Sequence, residues 1–291
     1  MPDDAAIPCE LNPATRLRIR QYADDLKQAA HTIGSHGMTA TEFENSGLFG
    51  SAIERLRGQQ SATMGVKKQF IDDILAYLKS KQAILRFAFT GAGDRHDYSV
   101  TMPNGKVVII EAKGCLDGNN TNIFQRPPNA EEFFIWSLCQ NAGADPEKNA
   151  WSGIHTRLGA TILAEKQAVD GLIIWDMLCG TIGRPCPKVQ SDPSRFTNVT
   201  HQRKVPPPCL YLFPVTVPDA RNNPSPRLPE LTEMSFAAAM YKHFQCNLDD
   251  VTYVGLEARM AGTDVQRRTT LSRGNRIVRQ SDWTNLKRAS R

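Results

Sequence analysis

Two carboxylates and a lysine lie within the stretch Asp97-Tyr98-Ser99-Val100-Thr101-Met102-Pro103-Asn104-Gly105-Lys106-Val107-Val108-Ile109-Ile110-Glu111-Ala112-Lys113. Asp and Glu oxygens, with a backbone carbonyl such as that of Ala112, form a donor set for a hard divalent ion such as Mg²⁺. Such an ion polarises a phosphoryl oxygen and lowers the pKa of a bound water. A lysine two residues past the glutamate suits orienting or deprotonating that water, or offsetting charge on a pentacovalent phosphorus. The alternative is a strand end with solvated charges and one surface ion pair, since short motifs match by chance. Against it, the strand is apolar on both faces until Glu111, which predicts a central position in a sheet. A charged end there needs a reason.

The elements that position these groups read as a β-hairpin. Val107 to Ile110 is a β-branched run, and Tyr98, Val100 and Thr101 suit the strand before it. A two-residue Asn-Gly loop would set Asp97 opposite Ala112, pointing away from Glu111. A three-residue loop reads better, with Pro103 opening a type I turn and Gly105 in the left-handed bulge position. In that register Met102 pairs with Lys106 and Asp97 falls opposite Glu111. Glu111 and Lys113, two apart, share a face.

Asp97 followed by Glu111-Ala112-Lys113 after an apolar strand resembles the PD-(D/E)xK motif of restriction endonucleases and related DNA-cleaving enzymes. The resemblance is specific over residues 83–116 and holds for element order over 46–216. It implies an α/β fold, a mixed β-sheet flanked by helices in a restriction-endonuclease-like core. It also implies Mg²⁺-dependent hydrolysis of double-stranded DNA, with Mn²⁺ able to substitute. Asp97, Glu111 and the Ala112 carbonyl would hold the metal and Lys113 would assist the water. Such enzymes commonly act as homodimers on palindromic sites. The rival readings are a repair or recombination nuclease of the same superfamily, and a non-cleaving DNA-binding protein on that scaffold. His96 stands where the family has proline, and Asp94 is a rival first ligand. In the family a helix before the hairpin often adds an acidic or amide group. Glu54 is the first candidate for it and Gln69 the second, the alternative for Glu54 being an exposed glutamate paired with Arg57.

Along the chain, residues 13–31 are predicted helical, with Leu17, Ile19, Tyr22, Leu26 and Ala30 apolar. Thr41 and Glu44 suggest a capping box. Helices are expected at Leu48 to Arg57 and Val66 to Lys79, and a strand at Ala83 to Thr90. After Lys113 comes a long polar loop whose Asn119, Asn120, Asn122, Gln125 and Arg126 are side-chain types that contact base edges or phosphates. A solvated surface loop is the alternative. Asn129 is read as capping a helix over 130–140, followed by a helix from Trp151 to Lys166 whose Ser152, His155 and Arg157 are candidate DNA contacts. His155 is equally readable as a packed histidine. Val169 to Leu178 is a strand with Asp176 near its end, Cys209 to Val217 another, Met234 to Phe244 a helix, and Val251 to Met260 a last strand. The apolar stretches at 48–57 and 130–140 are candidate dimer surfaces. The arginine-rich end reads as a phosphate-binding patch or as a frayed, solvated tail.

Three regions follow: an N-terminal helical segment (1–45), a nuclease core (46–216) and a C-terminal extension with a basic end (217–291), packed as one unit. The chain's 291 residues, 41% apolar and 22% charged, suffice for a substantial core. A net charge of +5 permits a polyanion partner without demanding one. No run of about eighteen apolar residues spans a membrane, and the acidic N-terminus lacks an apolar signal core, so a cytoplasmic location is expected. Seven cysteines without CxxC pairs fit a reducing compartment and buried thiols. Cys179, Cys186, His201 and Cys209 are four candidate zinc ligands, but their spacings match no compact zinc module.

Overall fold

The β-branched run of the hairpin strand forms the middle of a wide mixed sheet. In a computed structural model of the chain, residues 13–29, 37–48, 51–52, 63–90, 96–114, 126–140 and 145–286 are described. The helices that open the chain are α1 (Pro13–Ala29), α2 (Ala40–Ser46) and α3 (Met64–Ser80). Strands β1 (Arg86–Phe89), β2 (Tyr98–Thr101), β3 (Val107–Lys113) and β4 (Glu132–Cys139) follow. A helical run comprises α4 (Pro146–Trp151), a π-helical stretch (Ser152–Leu158) and α5 (Gly159–Glu165). Next come β5 (Gly171–Asp176), α6 (Pro187–Gln190), the short pair β6 (Thr197–Asn198) and β7 (Lys204–Val205), then β8 (Cys209–Leu212) and α7 (Ser235–His243). The last strands are β9 (Val251–Ala261), β10 (Asp264–Arg273), β11 (Arg276–Gln280) and β12 (Thr284–Asn285).

The main sheet runs β1-β2-β3-β4-β5-β8-β9-β10-β11, with β12 also on β10. β3, β4 and β5 are mutually parallel, as are β8 and β9, and the remaining neighbours are antiparallel. The fold is therefore α/β, a mixed sheet flanked by helices. The boundary drawn at 216/217 falls within this sheet, because β8 pairs with β9 across it.

Alternation along the strands divides the core. Val108, Ile110, Phe134 and Trp136 pack with Phe70, Ile74 and Leu78 of α3 and Phe236 and Met240 of α7. Ile109, Phe133 and Ile135 face the other way, against Ile154, Leu158 and Ile162 of the 146–165 run. Helix α3 is the best-signalled element. Phe70, Ile71, Ile74, Leu75 and Leu78 recur at helical spacing and all are buried. Thr63 caps it, accepting a bond from Val66 N.

Several expectations are corrected. Residues 132–139 are a strand, not part of a helix over 130–140, and every one of them is buried. An eight-residue, aromatic-rich apolar run suits a parallel strand covered on both faces. The same burial removes 130–140 as a dimer surface; of 48–57, only residues 48, 51 and 52 are described. The capping box is Thr39 with Glu42, which share the spacing of Thr41 with Glu44. In α1 the apolar side is largely open, with Leu17 and Tyr22 exposed. The arginine-rich end to residue 286 is not a frayed tail but the strands β10, β11 and β12.

At the hairpin turn Gly105 has φ +85°, Gly105 N donates to Met102 O at 3.0 Å, and Met102 N donates to Lys106 O at 2.9 Å. This is the three-residue loop. A side chain at that φ is disfavoured unless it is Asn or Asp. Gly105→Val should therefore lower unfolding free energy by about 1–2 kcal/mol in urea titration, and Gly105→Asn by clearly less. Equal losses for the two would rule out the left-handed position.

Candidate functional site

The carboxyl ends of β3, β4 and β5 lie at one end of the sheet, where open α/β sheets place their ligands. Because β2 is antiparallel to β3, the residue before β2 arrives there too. Tyr98 pairs with Ile110 and Ser99 with Ile109, and Asp97 N donates to Ile110 O at 3.2 Å, so Asp97 stands opposite Glu111. The Asp97 side chain then closes the ladder, its Oδ2 accepting from Ala112 N at 2.7 Å.

Glu111 and Lys113 project from one face of β3, and Lys113 Nζ lies 2.6 Å from Glu111 Oε1. Both side chains are largely buried, at 15% and 22% exposed. This is not the solvated surface pair of the alternative reading. Burial pushes the Glu111 carboxyl above its ordinary range; Lys113 opposes the shift and the facing Asp97 charge adds to it. Among the described residues, Asp97 Oδ1 and Glu111 Oε2 accept no hydrogen bond.

Beside these groups a small open cleft is lined by Lys67, Lys68, Ile71, Phe89, Asp97, Tyr98, Ala112 and Gly114. Tyr98 is its buried anchor. Its hydroxyl donates to Asp72 Oδ1 at 3.0 Å, and its ring meets Phe89 at 5.1 Å between centroids. Asp72 also pairs with Lys68 one helical turn back. Lys67, Lys68, Asp72 and Tyr98 are the site neighbours that motif spacing missed. The available signal was α3 itself, whose first turns carry Lys67-Lys68 next to apolar core positions.

The remaining expectations distribute as follows. Gln69 is exposed and donates to Asp73 Oδ1 at 2.8 Å, outside the cleft. Glu54, Asp94, Asn119, Asn120, Asn122 and Gln125 lie outside the described residues. Arg126 is described, and it is a clamp at the opposite end of the sheet. It donates to Ala130 O at 3.0 Å and to Glu131 O, and pairs with Asp170 at 3.1 Å. Glu131 is four residues from the level of Glu111 in the β3–β4 register, about 13 Å along the strands. Asp176 at the end of β5 is held by Arg184.

His155 is a packed histidine. Its Nδ1 accepts from Arg267 Nη1 at 3.1 Å, so the neutral ring carries its proton on Nε2. Burial, with Arg267 and Arg279 nearby, pushes its pKa down to about 4. Other arginines of the basic end are also engaged within the fold: Arg268 with Glu257 at 2.6 Å, and Arg279 with Glu147 at 3.7 Å. The zinc expectation finds no arrangement. His201 is exposed, Cys186 hydrogen-bonds Cys179, and buried Lys188 sits among Cys186, Cys209 and Cys246. Cys139 is disulfide-bonded, which a reducing compartment does not predict, while Cys179, Cys186, Cys209 and Cys246 are free thiols. Among the described residues no group of three or more His, Cys, Asp or Glu is placed to hold a metal, and none of the helices is long and apolar enough to cross a membrane.

Comparison with family models, curated proteins and solved structures found no match.

Because the Glu111 carboxyl is raised in the folded state, its ionisation opposes folding: stability is fullest below its unfolded pKa and falls as pH rises through the folded value. Glu111→Gln should therefore raise the melting temperature of the metal-free protein at pH 7 and leave it nearly unchanged at pH 4. Scanning calorimetry at the two pH values checks this, and a lowered melting temperature at pH 7 would contradict it.

Proposed function

We propose that this protein is a metal-dependent endonuclease that hydrolyses phosphodiester bonds of double-stranded DNA, acting at specific sequences as a homodimer in the manner of a type II restriction enzyme. The observation that carries the reading is the hairpin register, which sets Asp97 across from Glu111 with Lys113 beside it at the carboxyl ends of parallel strands. The donor set fits Mg²⁺: two carboxylates each with an oxygen uncommitted among the described residues, adjoining the Ala112 carbonyl, in a place where burial disfavours the unpaired carboxylate. When bound, the ion would supply Lewis-acid polarisation of the phosphate and an acidified water.

The chain's own groups do the rest. Asp97 is fixed against Ala112 N and Glu111 against Lys113, so neither carboxylate must reorganise far to accept a cation. Lys113 Nζ, 2.6 Å from Glu111 Oε1, would hold the attacking water or stabilise charge on the leaving oxygen. Asn119, Asn120, Asn122 and Gln125, which follow Lys113 closely in sequence, are proposed as DNA contacts by residue type.

Plasmid cleavage should vanish in EDTA and return with Mg²⁺ or Mn²⁺, while Ca²⁺ should support binding with little cutting. Discrete fragments indicate a recognised sequence, and a smear a repair-type nuclease. Lys113→Ala should lower the cleavage rate by orders of magnitude with much less loss of DNA affinity. Full activity in EDTA, or binding without cutting in any divalent ion, would sink the proposal.

A further inference from the structure

Lys67 approaches the end of β3 from the sheet face opposite to Lys113. Even-numbered residues of β3 face α3, while Glu111 and Lys113 face the other way. A Cβ built on Gly114, the residue after Lys113, would lie 3.2 Å from Lys67 Nζ. Lys67 shares its cleft with Asp97 and Ala112, two of the proposed metal donors. The strand end is thus bracketed by an ammonium group on each face.

The two lysines of α3 differ in their partners. Lys68 pairs with Asp72 and sits 4.9 Å above the Phe89 ring. The Lys67 ammonium group joins no ion pair or hydrogen bond among the described residues, and its helix neighbours at three and four residues on are Phe70 and Ile71. It is half-buried, and burial lowers its pKa. Nor does α3 offset the charge. Its first turn contains no acidic residue, so the positive end of the helix dipole adds to Lys67. A half-buried cation with no counter-ion among the described residues is costly, and an anion entering the cleft would remove that cost.

We infer that Lys67 binds a backbone phosphate of the DNA substrate adjacent to the one that is cut, holding the strand across the end of β3 between Lys67 and Lys113. This rests on the nuclease reading above. It assigns Lys67 to binding the uncut part of the backbone, whereas Lys113 acts at the reacting phosphate.

Duplex binding followed by fluorescence anisotropy in Ca²⁺, over a range of salt concentrations, tests the assignment. Lys67→Ala should reduce the slope of log affinity against log salt by about one, the value for one lost phosphate contact. Lys67→Arg should keep the slope. In Mg²⁺, Lys67→Ala should raise KM more than it lowers kcat, the reverse of Lys113→Ala. Alanine is the better helix former, so α3 is not endangered, and an unchanged melting temperature confirms that. A cleaving wild type whose slope and KM are unmoved by Lys67→Ala overturns this inference and leaves the nuclease reading standing. A wild type that never cleaves, yet binds with a Lys67-dependent slope, overturns only the nuclease reading. Failure to bind duplex DNA at all overturns both.

Discussion

The placement of every group in the candidate site depends on the register of the β2–β3 hairpin. Strand β3 does little to fix it, since Val108, Ile109 and Ile110 are all buried and a slip would exchange one apolar residue for another. Strand β2 does fix it. Its burial alternates, Tyr98 and Val100 inside and Ser99 and Thr101 partly open, so a one-residue slip would turn two core side chains outward. The turn agrees with the strand, because Gly105 supplies the left-handed residue that a three-residue loop needs. Tyr98 adds a third lock through its hydroxyl bond to Asp72, tying the hairpin to α3.

With register fixed, electrostatics follow from position. A central strand must carry its charged end in a half-dry setting, so burial raises the Glu111 carboxyl above its ordinary range and Lys113 opposes the shift. Asp97 faces Glu111 and adds to that shift. Two carboxylates brought together this way favour a proton on one of them or a cation beside them. Lys113 provides one within the chain, and a divalent ion would provide a stronger one. An apolar strand that ends in Glu-Ala-Lys therefore carries an electrostatic cost that Lys113 offsets only in part.

Legibility in the chain followed the range of the interactions. The hairpin and α3 were readable because their signals are local: turn residues, period-two alternation, apolar residues at helical spacing. Strand β4 was not. Glu132 to Cys139 has no period, and Asn129 before it resembles a helix cap; only pairing with β3 and β5 on either side decides for a strand. The burial of Glu132 is a tertiary matter too, since its carboxylate accepts from Ser235 N and Phe236 N at the start of α7. Strand β10 does alternate, with Arg267, Thr269 and Leu271 inward. Arg267 disguised the pattern, because an arginine reads as exposed until the His155 carbonyl and ring that receive it are in place.

The candidate site divides along the same line. Asp97, Glu111 and Lys113 lie within seventeen residues and one hairpin, so local rules suffice to join them. Lys67 is separated from Lys113 by β1, β2 and the hairpin turn, and nothing but the crossing of α3 over the sheet brings it to Gly114. One local sign of its difference from Lys68 was nevertheless present. A lysine with an aspartate four residues on has a ready partner on its own helix, whereas a lysine followed at that spacing by isoleucine points its stem along the core-facing stripe. Such a side chain reaches polar surroundings only where the helix ends, which for Lys67 is the cleft beside Asp97. The apolar residues that make α3 a core helix are thus the same ones that aim the Lys67 charge at the strand end.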